Sequence, residues 1–159
     1  MKILNMNELP EGVEVNYLDK ARTAYLGKAA GSEKMYVNID KIEPGQKSCK
    51  YHSHARQEEF FLILQGTATL RYDGEEYQVK KGDFVAKPAG KQHAHQYINQ
   101  FINQFINSGD VVLEILDVGL NVANDITYYP DEEVYYLPDE EKVFSKQGEL
   151  KEWTSEPNE

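Results

Sequence analysis

The chain has 159 residues, 27 acidic and 17 basic, for a formal net charge of -10, with 40% hydrophobic and 28% charged residues. That is enough apolar material for a globular core, and it excludes the low-hydrophobicity, high-charge pattern of a disordered chain. An acidic chain without a basic cluster is a poor match for nucleic acid or an anionic membrane, and its longest apolar run, Phe60 to Leu64, is far shorter than the about 20 residues that cross a bilayer. The opening stretch MKILNMNELPEG has no apolar run of signal-peptide length, so a cytoplasmic location is expected. A single cysteine, Cys49, leaves no internal disulfide and no all-cysteine zinc site.

In chain order, Met35, Val37 and Ile39 alternate with Tyr36, Asn38 and Asp40, the pattern of a half-buried strand. Glu59 to Gln65 is rich in Phe, Leu and Ile and stops at Gly66. Thr67 to Tyr72 and Glu76 to Lys80 flank Asp73-Gly74, a two-residue hairpin signal. Gly82-Asp83 marks another turn, and Phe84 to Lys87 a short strand ended by Pro88 and Gly90. Val111, Leu113 and Ile115 alternate again. No amphipathic helix of three turns stands in the middle of the chain. Many short strands with closely spaced turns predict an all-β sandwich or barrel.

The four histidines, His52, His54, His93 and His95, form two His-x-His pairs about forty residues apart. Side chains alternate along a strand, so each pair shares a face. Along the strand that starts near Glu59, the residues Glu59, Phe61 and Ile63 share one face and Glu58, Phe60 and Leu62 the other, so one carboxylate points inward and one outward. A lone His-x-His is more often surface or core chemistry. Two pairs, with a glutamate just after the first and no histidine elsewhere, favour a metal site. Three imidazoles and a carboxylate suit iron, manganese, nickel, zinc or copper and do not suit calcium or magnesium. Parity sets Cys49 on the face opposite His52 and His54, so the thiol is expected to be a buried small hydrophobe rather than a ligand.

From Met35 to Asp117 the sequence resembles the cupin superfamily. The first cupin motif is matched by Gly45, His52, His54, Glu59 and Gly66, with one residue more than usual between Gly45 and His52. The second is matched by Gly82, Pro88, Gly90, a histidine and Asn99. His95 has the asparagine four residues on; His93 follows Gly90 at the commoner interval. A branch of small, functionally uncharacterised cupins looks similar on both counts. The resemblance implies a jelly-roll barrel, a double-stranded β-helix with extended N- and C-terminal arms. The expected organisation is one domain over residues 1–159, with a barrel at about 33–120 and a C-terminal arm at 121–159. It implies one divalent transition ion (Fe, Mn, Ni or Zn) on His52, His54, Glu59 and His95, with His93 and Glu58 as alternates. Phe61, Ile63 and Tyr97 are the expected pocket wall.

Cupins commonly pair through an outer sheet face, so a homodimer is expected through the face of Phe60, Leu62 and Leu64. Cover by the N-terminal segment Val13 to Leu18 is the competing account. The segment YINQFINQFIN, residues 97–107, repeats a four-residue unit and is expected to be a dimer contact or a flap over the cup. The acidic, tyrosine-rich stretch after Tyr128 is read as an extended arm with tyrosines on the barrel wall and solvated carboxylates. Dioxygenases, decarboxylases and sugar isomerases all occur among cupins, so a small-molecule enzyme is the first functional reading. A non-catalytic sugar or carboxylate binding module is the second, and a barrel with an adventitious ion the third. No general base is recognisable, with Tyr72, Tyr97, Glu58 and Lys87 as candidates.

Overall fold

The computed structural model describes residues 2–17, 21–90, 94–98 and 111–156. His93 and the repeat from Asn99 onward lie outside the described residues, as does the side chain of Tyr97.

The strands run β1 (Glu14–Tyr17), β2 (Ala21–Ala24), β3 (Met35–Ile42), β4 (Ser53–His54), β5 (Glu59–Gln65), β6 (Thr67–Tyr72) and β7 (Glu75–Lys80). They continue with β8 (Phe84–Lys87), β9 (His95–Ile98), β10 (Leu113–Leu120), β11 (Thr127–Tyr129), β12 (Val134–Leu137), β13 (Lys142–Ser145) and β14 (Gly148–Leu150). One five-residue helix, α1 (Leu26–Ala30), precedes β3. Among the described residues these form three antiparallel sheets, ordered β1-β2-β3-β10-β5-β8, β14-β13-β12-β11-β4 and β7-β6-β9. This is the all-β jelly roll that the strand pattern and the cupin resemblance predict. Among the described residues no helix is long and apolar enough to cross a membrane.

The period-two pattern decides which side chains enter the barrel. Along β5, Glu59, Phe61 and Ile63 are buried, while Phe60 is 38% exposed. Phe61 and Ile63 pack with Ile42, Ala68, Leu70, Leu113 and Ile115 into the main core, each fully buried aliphatic or aromatic side chain contributing about 1.5–3 kcal/mol. The other end of the same inner face is polar. Register places Glu59 opposite Lys87 on β8 and opposite Gly119 on β10, and Phe61 opposite Asp117. On the far side of β10, Tyr36 faces Gly119 and Asp40 faces Ile115. The barrel is thus apolar at one end and ionisable at the other, which is what positions the site.

The Asp73-Gly74 hairpin forms as its sequence predicts, both residues having positive φ (56° and 83°), as a type I′ turn requires. The N-terminal segment does not lie over the face of Phe60. It adds β1 and β2 to the edge of the six-stranded sheet beyond β3, two short strands without a recognisable alternation signal. The C-terminal arm is more regular than a plain extended segment: β11 to β14 form a meander joined to β4. It has a small core of its own, Tyr129, Val134 and Val143, covered by Tyr136, Leu150 and Trp153. Its carboxylates are not all solvated, because Asp131 grips Arg71 through two bonds and Glu132 pairs with the buried Lys50.

Candidate metal centre

The two histidine segments are pinned together by backbone. His52 and His95 form an antiparallel bridge, His52 N donating to His95 O (3.2 Å) and His95 N to His52 O (2.7 Å). β4 carries His54 and pairs with β11. β5 brings Glu59 in from below.

The outer nitrogen of each first-pair imidazole is anchored. His52 Nδ1 lies 2.8 Å from the Lys50 carbonyl oxygen, which can only accept, so Nδ1 carries the proton. His54 Nδ1 lies 2.6 Å from Asp125 Oδ2. Asp125 is itself fixed by the backbone N–H groups of Arg56 and Gln57, which donate to Oδ1 at 2.8 and 3.3 Å. Burial works to raise the Asp125 carboxyl, but the His54 and backbone hydrogen bonds reverse it and hold it below the usual range, so it accepts from His54 Nδ1–H. Both Nε2 atoms are then left as lone-pair acceptors, and they face each other at 3.2 Å. Two lone pairs at that distance repel unless a cation or a proton sits between them. Nitrogens bound about 2.1 Å from one ion form polyhedron edges of about 3.0–3.4 Å. The donor set and its spacing therefore fit a divalent transition ion, and the histidine–carboxylate anchoring is the usual outer support of such a site.

Glu59 completes this corner: its Oε1 is 3.7 Å from His54 Nε2, and the ligand atoms of His52, His54 and Glu59 all lie within 4.8 Å of one another. Tyr36 donates to Oε1 at 2.6 Å and Gln57 Nε2 at 3.2 Å, while Lys87 pairs with Oε2. Burial alone would raise the Glu59 carboxyl, yet the fields of His95, Lys87, His54 and His52 together hold it well below the usual range. His95 packs against His52 (ring centroids 4.7 Å) and Phe61 (4.9 Å), with Nδ1 3.9 Å from Glu59 Oε2. Its ligand atom groups with those of His52 and Cys49, so His52 and the 3.9 Å approach to Glu59 join it to the His54 corner. Burial keeps His95 well below the ordinary histidine value and lowers His52 to about 4, so both rings are neutral.

Glu58, the alternate carboxylate, is exposed, as parity requires of the residue beside Glu59. The Cys49 parity argument fails, because residues 43–52 are turns and bridges rather than strand, and the thiol stands beside His52 and His95. Burial pushes that thiol up to about 12, so it is protonated. Sequence reasoning missed Asp125, Tyr36 and Gln57 entirely. Lys87 was noticed only as a base without geometry.

The polar end of the inner face carries more acid. Burial, offset in part by the hydrogen bond from Thr23, pushes Asp40 up to about 6, and Asp117 is raised well above the usual range by burial and by the charges of Asp40 and Glu59. A cleft of about 350 Å³ bordered by His54, Gln57, Asn121, Asp125 and Asp139 opens beside the histidines.

Residues 38–101 match the cupin domain family. The match covers the middle of the chain, and the jelly-roll fold agrees with it. Similar solved structures include a sugar phosphate isomerase of the cupin superfamily from Silicibacter pomeroyi DSS-3, 26% identical, covering 94% of this chain and 90% of that one, with a TM-score of 0.70. A proposed sugar phosphate isomerase from Acidithiobacillus ferrooxidans ATCC 23270 is 25% identical, with coverage of 93% and 89% and a TM-score of 0.70. A polyketide cyclase from Streptomyces resistomycificus, 16% identical over 76% of this chain and 79% of its own, shares the fold alone, with a TM-score of 0.56. No curated protein matches the sequence.

Proposed function

We propose that the chain is a metal-dependent cupin enzyme that isomerises a small hydroxylated molecule of the sugar class. In this reading His52, His54, Glu59 and His95 hold one divalent transition ion (Fe, Mn, Ni or Zn) at the polar end of the barrel. The observation that carries the metal is the pair of anchored imidazoles whose bare Nε2 atoms face each other at 3.2 Å. Support for the reaction class comes from the two sugar phosphate isomerase relatives, which this chain matches over nearly its whole length.

Such an ion polarises a carbonyl or hydroxyl oxygen of the bound molecule. The chain's own residues do the rest. Asp125 and the Lys50 carbonyl fix the two rings, and Tyr36 and Gln57 fix the carboxylate. Phe61 and Ile63 close the apolar floor against water. In this reading residues 1–159 are one cupin domain, barrel at about 33–120 and arm at 121–159. It works as a homodimer through the exposed face of Phe60 and Phe84, whose rings stack at 6.0 Å with 38% and 71% exposure.

The test is metal analysis of protein purified without chelator or polyhistidine tag, alongside His54→Ala and Glu59→Gln. Wild type is expected to carry about one transition ion per chain, and His54→Ala to lose it. Full metal retention in both variants would reject the site.

A further inference from the structure

Lys87 is 1% exposed, among the most completely buried side chains of the described residues. Burying an ammonium costs several kcal/mol unless a partner is supplied. The fold supplies Glu59, directly opposite on β5, whose Oε2 pairs with Nζ. Because Tyr36 and Gln57 already donate to Oε1 and the Lys87 ammonium lies against Oε2, the carboxylate assigned above to the ion is already engaged by three protein groups. An ion drawing on Glu59 would set a second cation against the Lys87 ammonium in a poorly hydrated space, where like charges repel strongly.

The inner face holds a second carboxylate for the lysine. Asp117 stands on β10, which flanks β5 on the side away from β8, two residue pairs along from the Glu59 row and on the same face. Its Oδ1 is buried without a well-aligned hydrogen bond, and the Tyr36 hydroxyl, which donates to Glu59, is the polar group close to this carboxyl. Strands β8 and β10 are two sheet spacings apart, about 9.6 Å, and the two-residue offset adds about 6.8 Å along the strand, so the backbone positions are about 12 Å apart, a gap that an extended four-carbon lysine stem and an aspartate side chain can close between them.

We infer that Lys87 is an internal counter-ion that exchanges partners, holding Glu59 until an ion takes that carboxylate and then turning to Asp117. This rests on the reading of Glu59 as a ligand. Lys87 is a positioning residue here: it keeps Glu59 aimed at the histidines and weakens ion binding by competing for the same oxygen.

The experiment titrates Mn²⁺ and Zn²⁺ into wild type, Lys87→Met, Asp117→Asn and the double variant, by calorimetry and by thermal shift. Lys87→Met is expected to bind about tenfold tighter or more, and to gain more thermal stability from the ion than wild type does, because Glu59 is left buried without its cation. Asp117→Asn is expected to bind about tenfold more weakly, since the displaced ammonium loses its second partner. In the Lys87→Met background Asp117→Asn is expected to change nothing. Equal or weaker binding by Lys87→Met overturns the inference, as does an Asp117→Asn effect of the same size in both backgrounds. Should Lys87→Met fold only with the ion present, it is refolded with Zn²⁺ and its affinity read by chelator competition. Absence of binding in all four proteins would sink the ligand reading itself and this inference with it; binding by wild type with the wrong order of affinities sinks this inference alone.

Discussion

Gly119 lies directly beneath the ring of Tyr36: a Cβ at Gly119 would come within 2.4 Å of both Cζ and the hydroxyl oxygen. The two residues face each other across β3 and β10, and Gly119 also faces Glu59 across β10 and β5. A bare backbone at this position is what lets a tyrosine on one strand cross its neighbour and donate to a carboxylate two strands away. Gly119→Ala is therefore expected to push the Tyr36 ring aside and cost the bond to Glu59, a loss of about 1.5–3 kcal/mol for a hydrogen bond to a charged group. Urea denaturation of the variant beside Tyr36→Phe checks this. The two should be destabilised by similar amounts, and an unaffected Gly119→Ala would refute the crossing.

Asp125 sets which nitrogen of His54 is bare. Asp125→Ala removes the partner of Nδ1 and the acceptor for two backbone N–H groups. Metal affinity is expected to fall by about 10–100-fold, the usual effect of losing an outer-shell carboxylate. Zn²⁺ calorimetry measures it, with Asp139→Ala, on the same cleft but without contact to a histidine, as the control expected to bind normally.

Acid should weaken the metal-stripped protein in part through His52. An unfolded histidine takes up a proton near pH 6.5, whereas burial holds the folded ring near 4. Between those values the unfolded chain binds more protons, so the contribution of His52 is complete above about pH 6.5 and is lost as the pH falls toward 4. Asp40 works in the opposite sense, its folded carboxyl being raised to about 6, so its contribution is present at low pH and lost as the pH rises through that value. The histidine effect is consequently read as a difference. His52→Gln should show a shallower loss of Tm than wild type from pH 6.5 to 4, and parallel profiles would mean that the ring is not held neutral.

The C-terminal sheet supports the centre from outside. Trp153 packs edge-on against Tyr129 at 4.7 Å, donates from Nε1 to Glu132 at 2.6 Å and lies under the Lys50 ammonium. Tyr129 in turn lies 5.7 Å from the His52 ring. Trp153→Ala is expected to cost about 2 kcal/mol, below the range for a fully buried tryptophan because the ring is only half covered. Thermal unfolding tests it, and a change within error would show that the tail is dispensable.

Much of the barrel was legible because its strands alternate cleanly. The alternation along Glu59, Phe61 and Ile63 identified the inner face, and Asp73-Gly74 identified its hairpin. Alternation carries no information where the chain leaves the strand geometry. Cys49 sits in a stretch of turns, so counting by twos placed it on the wrong side of His52. The short strands β1 and β2 and the regular C-terminal meander escaped notice because their alternation is too brief, or too interrupted by proline and acidic residues, to register.

The sequence by itself determined that the chain is an all-β sandwich or barrel, which the cupin resemblance narrowed to a jelly roll, and which residue types could grip an ion, since periodicity and paired histidines are local signals. Only the tertiary structure decided how those groups are tuned. It brought Asp125 to His54 from 71 residues away, set Lys87 against Glu59 and left Gly119 bare under Tyr36. These contacts arise from the register between strands distant in sequence, and register is fixed by the packing of the whole barrel rather than by any residue's immediate neighbours.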